Sequence, residues 1–159
     1  MAGAEIIGTA IGVLLLILVG YLLVGSTLSS AEIVASAQKD MTLQNEARLR
    51  TDITIFKPGV YGSSFNFSLN NTGNEVIGDF PHMDIFSYDS SSGYQRYTYD
   101  PSGTGGQNNW TIVKFDRDFV HPSMLDPGEA MWISVTYSGT PTSIVVSTSN
   151  GVYASTQLP

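Results

Sequence analysis

Residues 6–24, IIGTAIGVLLLILVGYLLV, carry no charged side chain. As a helix rising ~1.5 Å per residue the run reaches roughly 28 Å, close to the thickness of a bilayer's hydrocarbon core. A helix satisfies its own backbone N–H and C=O groups, so a single segment of this kind crosses lipid as a helix. The run is long for the apolar region of a cleaved signal, no Lys or Arg precedes it, and the Ala35-Ser36-Ala37 triplet that mimics a cleavage site lies far downstream. A retained anchor, or a helix at the core of a filament, is the expectation.

Ala4, Gly8 and Gly12 recur every four residues and share one helix face, where small side chains let a second backbone approach. Glu5 at the edge of the run needs the interface, the headgroups or a partner such as the α-amino group of a neighbouring helix. Lys39, Arg48 and Arg50 follow the span at a distance, so the positive-inside rule decides no orientation. Three sequons, at Asn66, Asn70 and Asn109, are usable as glycosylation sites if the rest of the chain is exported. The chain has no cysteine, which removes disulfides and thiol-ligated metals.

Residues 25–159 suffice for one domain with its own core. Asp and Glu number 14 against 7 Lys and Arg, which argues against nucleic acid as a partner. Up to about residue 50 the sequence SSAEIVASAQKDMTLQNEARLR lacks Gly and Pro, so the membrane helix is expected to continue as a stalk. The division expected is 1–48 for membrane helix and stalk, and 49–159 for an extracytoplasmic head.

Beyond the stalk the period becomes two. Ile53 and Ile55, then Phe65, Phe67 and Leu69, then Met131, Ile133, Val135 and Tyr137 alternate with polar or smaller neighbours, as half-buried strands do. Further strands are expected over residues 83–88, 94–99, 110–115, 143–148 and 152–156. Turn residues separate them: Lys57-Pro58-Gly59, Asn70-Asn71-Thr72-Gly73-Asn74, Ser90-Ser91-Ser92-Gly93, the 101–109 loop, Asp126-Pro127-Gly128-Glu129 and Asn150-Gly151. The Asp126 turn has the Pro-Gly order of a type II turn, and Asn150-Gly151 signals a two-residue hairpin loop. About eight short strands at roughly ten-residue spacing predict an antiparallel β-sandwich, a mainly β fold with one long N-terminal α-helix.

With its apolar helix, Leu69-Asn70-Asn71-Thr72-Gly73-Asn74, Leu125-Asp126-Pro127-Gly128-Glu129 and the terminal Ser149-Asn150-Gly151-Val152, the chain resembles the archaeal flagellin superfamily. Within that superfamily it is most similar to the archaellum accessory proteins F and G. The resemblance implies an immunoglobulin-like sandwich outside the archaeal cytoplasmic membrane. It also implies a stator subunit of the archaellum motor that binds the S-layer protein, a sister stator subunit or both, in a homo- or hetero-oligomer. With Met1 as initiator the chain lacks the basic leader of filament subunits and matches the unprocessed F and G proteins. With a mature N-terminus at that position, Glu5 falls where a type IV pilin or archaellin needs it.

Parts for catalysis are sparse. His82 and His121 each adjoin a proline and stand near Asp84 and Asp118, yet no serine occupies a Gly-x-Ser-x-Gly elbow. Asp116-Arg117-Asp118 with Asp126 or Glu129 offers oxygen donors, but EF-hand spacing is absent and Arg117 repels a cation, so a solvated loop is expected. Gly103-Thr104-Gly105-Gly106 lacks the lysine of a phosphate loop. No enzyme, metal or cofactor is expected. Tyr88, Tyr94, Tyr97 and Tyr99, near Trp110, form an aromatic cluster from which Tyr94, Tyr97 and Tyr99 are candidates for a partner-binding surface at an edge of the sandwich.

Overall fold

The computed structural model describes residues 2–118 and 120–159. A helix, α1 (Ala2–Arg50), is followed by eight strands: β1 (Ile53–Tyr61), β2 (Ser64–Asn71), β3 (Asp84–Asp89), β4 (Gly93–Tyr99), β5 (Asn109–Asp116), β6 (Ala130–Thr136), β7 (Pro141–Ser147) and β8 (Tyr153–Gln157). The chain divides into two compact units, Met1–Leu43 and Gln44–Pro159. The last two turns of α1 therefore belong with the strands.

The first unit is all helix. Its apolar side chains are uncovered, Leu16 being 74% exposed and Ile17 68%. The hydroxyls of Thr9 and Thr27 return to the carbonyls of Glu5 and Leu23 at 2.9 and 3.0 Å, so these polar groups are satisfied inside the helix itself. Length and composition suffice to cross a membrane once.

In the second unit the strands run in the order β1-β2-β6-β5-β4-β3-β7-β8. Every adjacent pair is antiparallel except β4 and β5, which meet in parallel over Thr98–Asn109 and Tyr99–Trp110. That short ladder joins two antiparallel halves face to face, and β1 packs near β8 on the other side. The result is a nearly closed sandwich. Alternation decides its inside: Phe65, Phe67 and Leu69 of β2, Met131, Ile133 and Val135 of β6, Ile144 and Val146 of β7, and Ile85, Tyr97 and Trp110 are all at most 1% exposed.

Two expected turns take another form. Lys57-Pro58-Gly59 is a bulge within β1, where the register with β2 shifts between Phe56 and Gly59 and Lys57 takes a φ of 49°. Proline donates no hydrogen bond, and on a strand with a ladder on one side only it is tolerated while blunting the open edge. The hairpin loop at the C-terminus spans Ser149-Asn150-Gly151, one residue longer than Asn150-Gly151 alone. Gly151 N–H donates to Thr148 C=O at 2.9 Å, Thr148 N–H donates to Val152 C=O at 2.8 Å, and the left-handed φ of 83° falls on Gly151. The type II turn forms as read: Glu129 N–H reaches Asp126 C=O at 3.0 Å and Gly128 has a φ of 80°.

The two longest turn motifs interlock. Asn71 Nδ2 donates to the carbonyls of Glu75 and Leu125 at 2.7 and 2.9 Å, and its Oδ1 accepts from Gly73 N–H at 3.1 Å. Gly128 N–H in turn donates to Asn71 C=O at 2.9 Å. The same loop closes the end of α1, whose terminal carbonyls lack partners within the helix: Asn74 N–H donates to Arg50 C=O at 2.7 Å. Gly73 is required there because a Cβ would lie 2.5 Å from the Arg50 oxygen and 2.4 Å from the Asp52 nitrogen.

Candidate functional site

The three tyrosines expected at a partner surface divide by strand parity. Tyr94 is 78% exposed. Tyr97 is 1% exposed, its ring edge-on to Phe65 at 5.9 Å and its hydroxyl 2.7 Å from Ser87 Oγ, so it is a core residue and leaves the surface set. Burial pushes its phenol pKa up, partly offset by that hydrogen bond. Tyr99 is half-buried, its ring centroid 4.6 Å from that of Trp110. Residues 97 and 99 share one face of β4 and residue 94 takes the other, a signal already present in the alternation.

Tyr94 instead joins Tyr88, directly opposite on β3, with ring centroids 5.0 Å apart. The register continues from Tyr88 to Ser143 on β7 and from Ser143 to Gln157 on β8, so one row of side chains crosses four strands on the outer face. The next row runs Arg96, Phe86, Val145 and Ser155. Arg96 is held by Asp84 at 2.7 Å, which leaves the two charges paired with each other. A shallow groove of about 410 Å³ lies over this face.

Ala4, Gly8 and Gly12 lie on one face of α1, and no atom comes within 4 Å of a Cβ placed on Gly8 or Gly12. Glu5 is exposed beside them. Among the sequon asparagines, Asn66 and Asn70 are half-buried within β2, which is paired on both edges, and Ser68 Oγ donates to Asn70 Oδ1 at 2.9 Å. Asn109, the first residue of β5, is also half-buried and lies between Thr98 of β4 and Thr136 of β6.

His121 and Asp126 meet at 2.6 Å, and Asp126 Oδ2 also accepts the His121 backbone N–H at 2.9 Å. The imidazole beside it holds the Asp126 carboxyl below the usual aspartate range. His82 pairs with Asp79 at 2.7 Å. Among the described residues no serine hydroxyl is hydrogen-bonded to either histidine, so each pair stops at two members. The acidic candidates are likewise dispersed: Asp116 accepts from Trp132 Nε1 at 3.0 Å, and Asp118 receives Ser123 N–H at 3.0 Å. No group of three or more His, Asp or Glu arranged for a metal ion occurs among the described residues.

No family model matches the sequence. An uncharacterized protein of Archaeoglobus fulgidus is 27% identical over 128 residues, covering 79% of this chain and 73% of that protein. Among solved structures, the archaellum periplasmic stator protein FlaG from Sulfolobus acidocaldarius superposes with a TM-score of 0.52 at 18% identity, over 68% of this chain and 99% of FlaG. The fold is shared with FlaG. A chain of the archaellum periplasmic stator protein complex of FlaF and FlaG from the same organism gives 0.51 at 18% identity, over 67% of this chain and 87% of that one.

Proposed function

We propose that this chain is a membrane-anchored stator subunit of an archaellum motor, with α1 crossing the cytoplasmic membrane once and the sandwich standing in the extracytoplasmic space. It acts by binding, without catalysis. The observation that carries the reading is the FlaG fold mounted on a helix with an uncharged run of 19 residues, 6–24. The solved complex of FlaF and FlaG supports a sister subunit as one partner, and the S-layer lattice is the second partner proposed. Tyr94 and the outer face of β3 and β4 form the binding surface. A stator must transmit load, and the end of α1 is tied to the loop after β2 by the bond from Asn74 N–H to Arg50 C=O and by the Arg50–Glu75 pair at 3.7 Å.

A second reading is favoured by the open small-residue face of α1 with Glu5 beside it, which equally suits a helix at the core of a type IV pilin or archaellin filament. Deletion of the gene separates the two. A stator mutant assembles filaments and does not swim, whereas a filament mutant has no filaments. Normal swimming by the deletion strain contradicts both.

A further inference from the structure

The geometry points to the outer face of β3, β7 and β8, with Tyr94 at its corner, as a binding site for a neutral glycan. This rests on the reading of the head as a binding module and names the chemistry that its tyrosine face takes. Six side chains face the groove: Tyr88, Tyr94, Ser143, Val145, Ser155 and Gln157. Its volume of about 410 Å³ falls in the range of small-ligand sites. Tyr94 is 78% exposed and Tyr88 39%, so the paired rings reach solvent at one end of the row.

A pyranose presents a patch of C–H groups edged by hydroxyls. The tyrosine rings match the first and the rest of the groove matches the second. Four hydroxyls and the Gln157 carboxamide line it, and among the described residues none of these five groups is engaged by another protein group. The neighbouring Thr142 Oγ1, by contrast, donates to Tyr88 C=O at 3.1 Å. The row from Tyr94 to Gln157 spans three strand spacings, ~14 Å, the reach of a short oligosaccharide.

Charge selects the ligand class. Among the described residues no Asp, Glu, Lys, Arg or His lines the groove, and the neighbouring Arg96 and Asp84 neutralise each other, so a charged ligand finds no counter-charge. Of the six side chains facing the groove, Val145 alone is aliphatic, and it lies between Ser143 and Ser155, so hydroxyls alternate with the apolar surface as they do on a sugar.

The full chain in lipid nanodiscs, wild type and Tyr94→Ala, is titrated against surface-layer sheets of its host before and after chemical deglycosylation. A Gln157→Ala variant removes the polar group at the far end of the row, and thermal melting of each protein checks that the fold is kept. Binding to native sheets is expected to weaken about tenfold or more on deglycosylation, and by a similar factor in both variants. Binding that survives deglycosylation overturns the glycan and leaves the anchoring role standing. Binding that needs the glycan but ignores both variants overturns this site. No binding to either preparation overturns the proposal, and the stator reading then rests on the deletion phenotype.

Discussion

The backbone N–H of Asn74 donates to the carbonyl of Arg50, the last residue of α1, at 2.7 Å. The helix thus ends on a hydrogen bond from the loop after β2, with Thr72 and Gly73 N–H both donating to Asp52 C=O beside it at 2.9 and 3.0 Å. Gly73→Ala forces a methyl against two backbone atoms that cannot rotate away. It is expected to cost about 2–3 kcal/mol of head stability, read by near-UV circular dichroism in a denaturant titration of the detergent-solubilised chain. An unchanged midpoint would show that the loop moves freely.

Asn71→Ala deletes the donors to Glu75 and Leu125 and the acceptor for Gly73 in a residue 1% exposed. Carbonyls left unpaired in the interior carry the penalty, so a loss of about 2–3 kcal/mol is expected by the same titration. Asn71→Asp keeps the acceptor and loses both donations, and should recover little.

Tyr94 and Tyr97 are expected to behave oppositely. Tyr97→Phe removes the contact with Ser87 and leaves that hydroxyl buried, at a cost of about 1 kcal/mol, whereas Tyr94→Ala changes stability by less than about 0.5 kcal/mol. Melting temperatures of the two variants test the division between core and surface.

Acid should loosen the head. Asp89 accepts Ser91 N–H at 2.7 Å and Thr140 N–H at 2.6 Å, which hold its carboxyl below the ordinary 3.8, and His121 does the same for Asp126. A carboxyl with a lowered folded-state pKa contributes stability above its unfolded value, and that contribution disappears as pH falls through the folded one. Denaturation midpoints at a series of pH values should be level from neutrality to about pH 5 in respect of these groups and fall below it. Asp89→Asn should lower the plateau and make the acid limb shallower.

Much of this architecture is written locally. An uncharged run of membrane length leaves one solution, and strict alternation in residues 65–69 and 131–137 fixes which side chains meet in the core. Asp126-Pro127-Gly128-Glu129 fixes its turn because proline and glycine each supply one of the two dihedral settings. Lys57-Pro58-Gly59 carries the same residue types, yet pairing with β2 on both sides of it overrides the turn and leaves a bulge. The parallel contact between β4 and β5 has no local code in the 100–108 loop; it is a tertiary arrangement in which the Tyr99 and Trp110 rings meet at 4.6 Å. The aromatic row of the candidate site was half legible. Parity separates Tyr94 from Tyr97 and Tyr99, but only the register of β3 against β4 and β7 brings Tyr88, Ser143 and Gln157 into line with it.

The central claim is that the helix spans the membrane and the strand-built head lies outside. The chain has no cysteine, so one introduced at Gln107, exposed in the loop before β5, gives a single reporter. Intact cells carrying Gln107→Cys are treated with a membrane-impermeant maleimide, and the membranes are then extracted with alkaline carbonate. The account predicts labelling in intact cells and retention of the labelled full-length chain in the membrane pellet. Labelling only after lysis, or release of the chain into the supernatant, would contradict it.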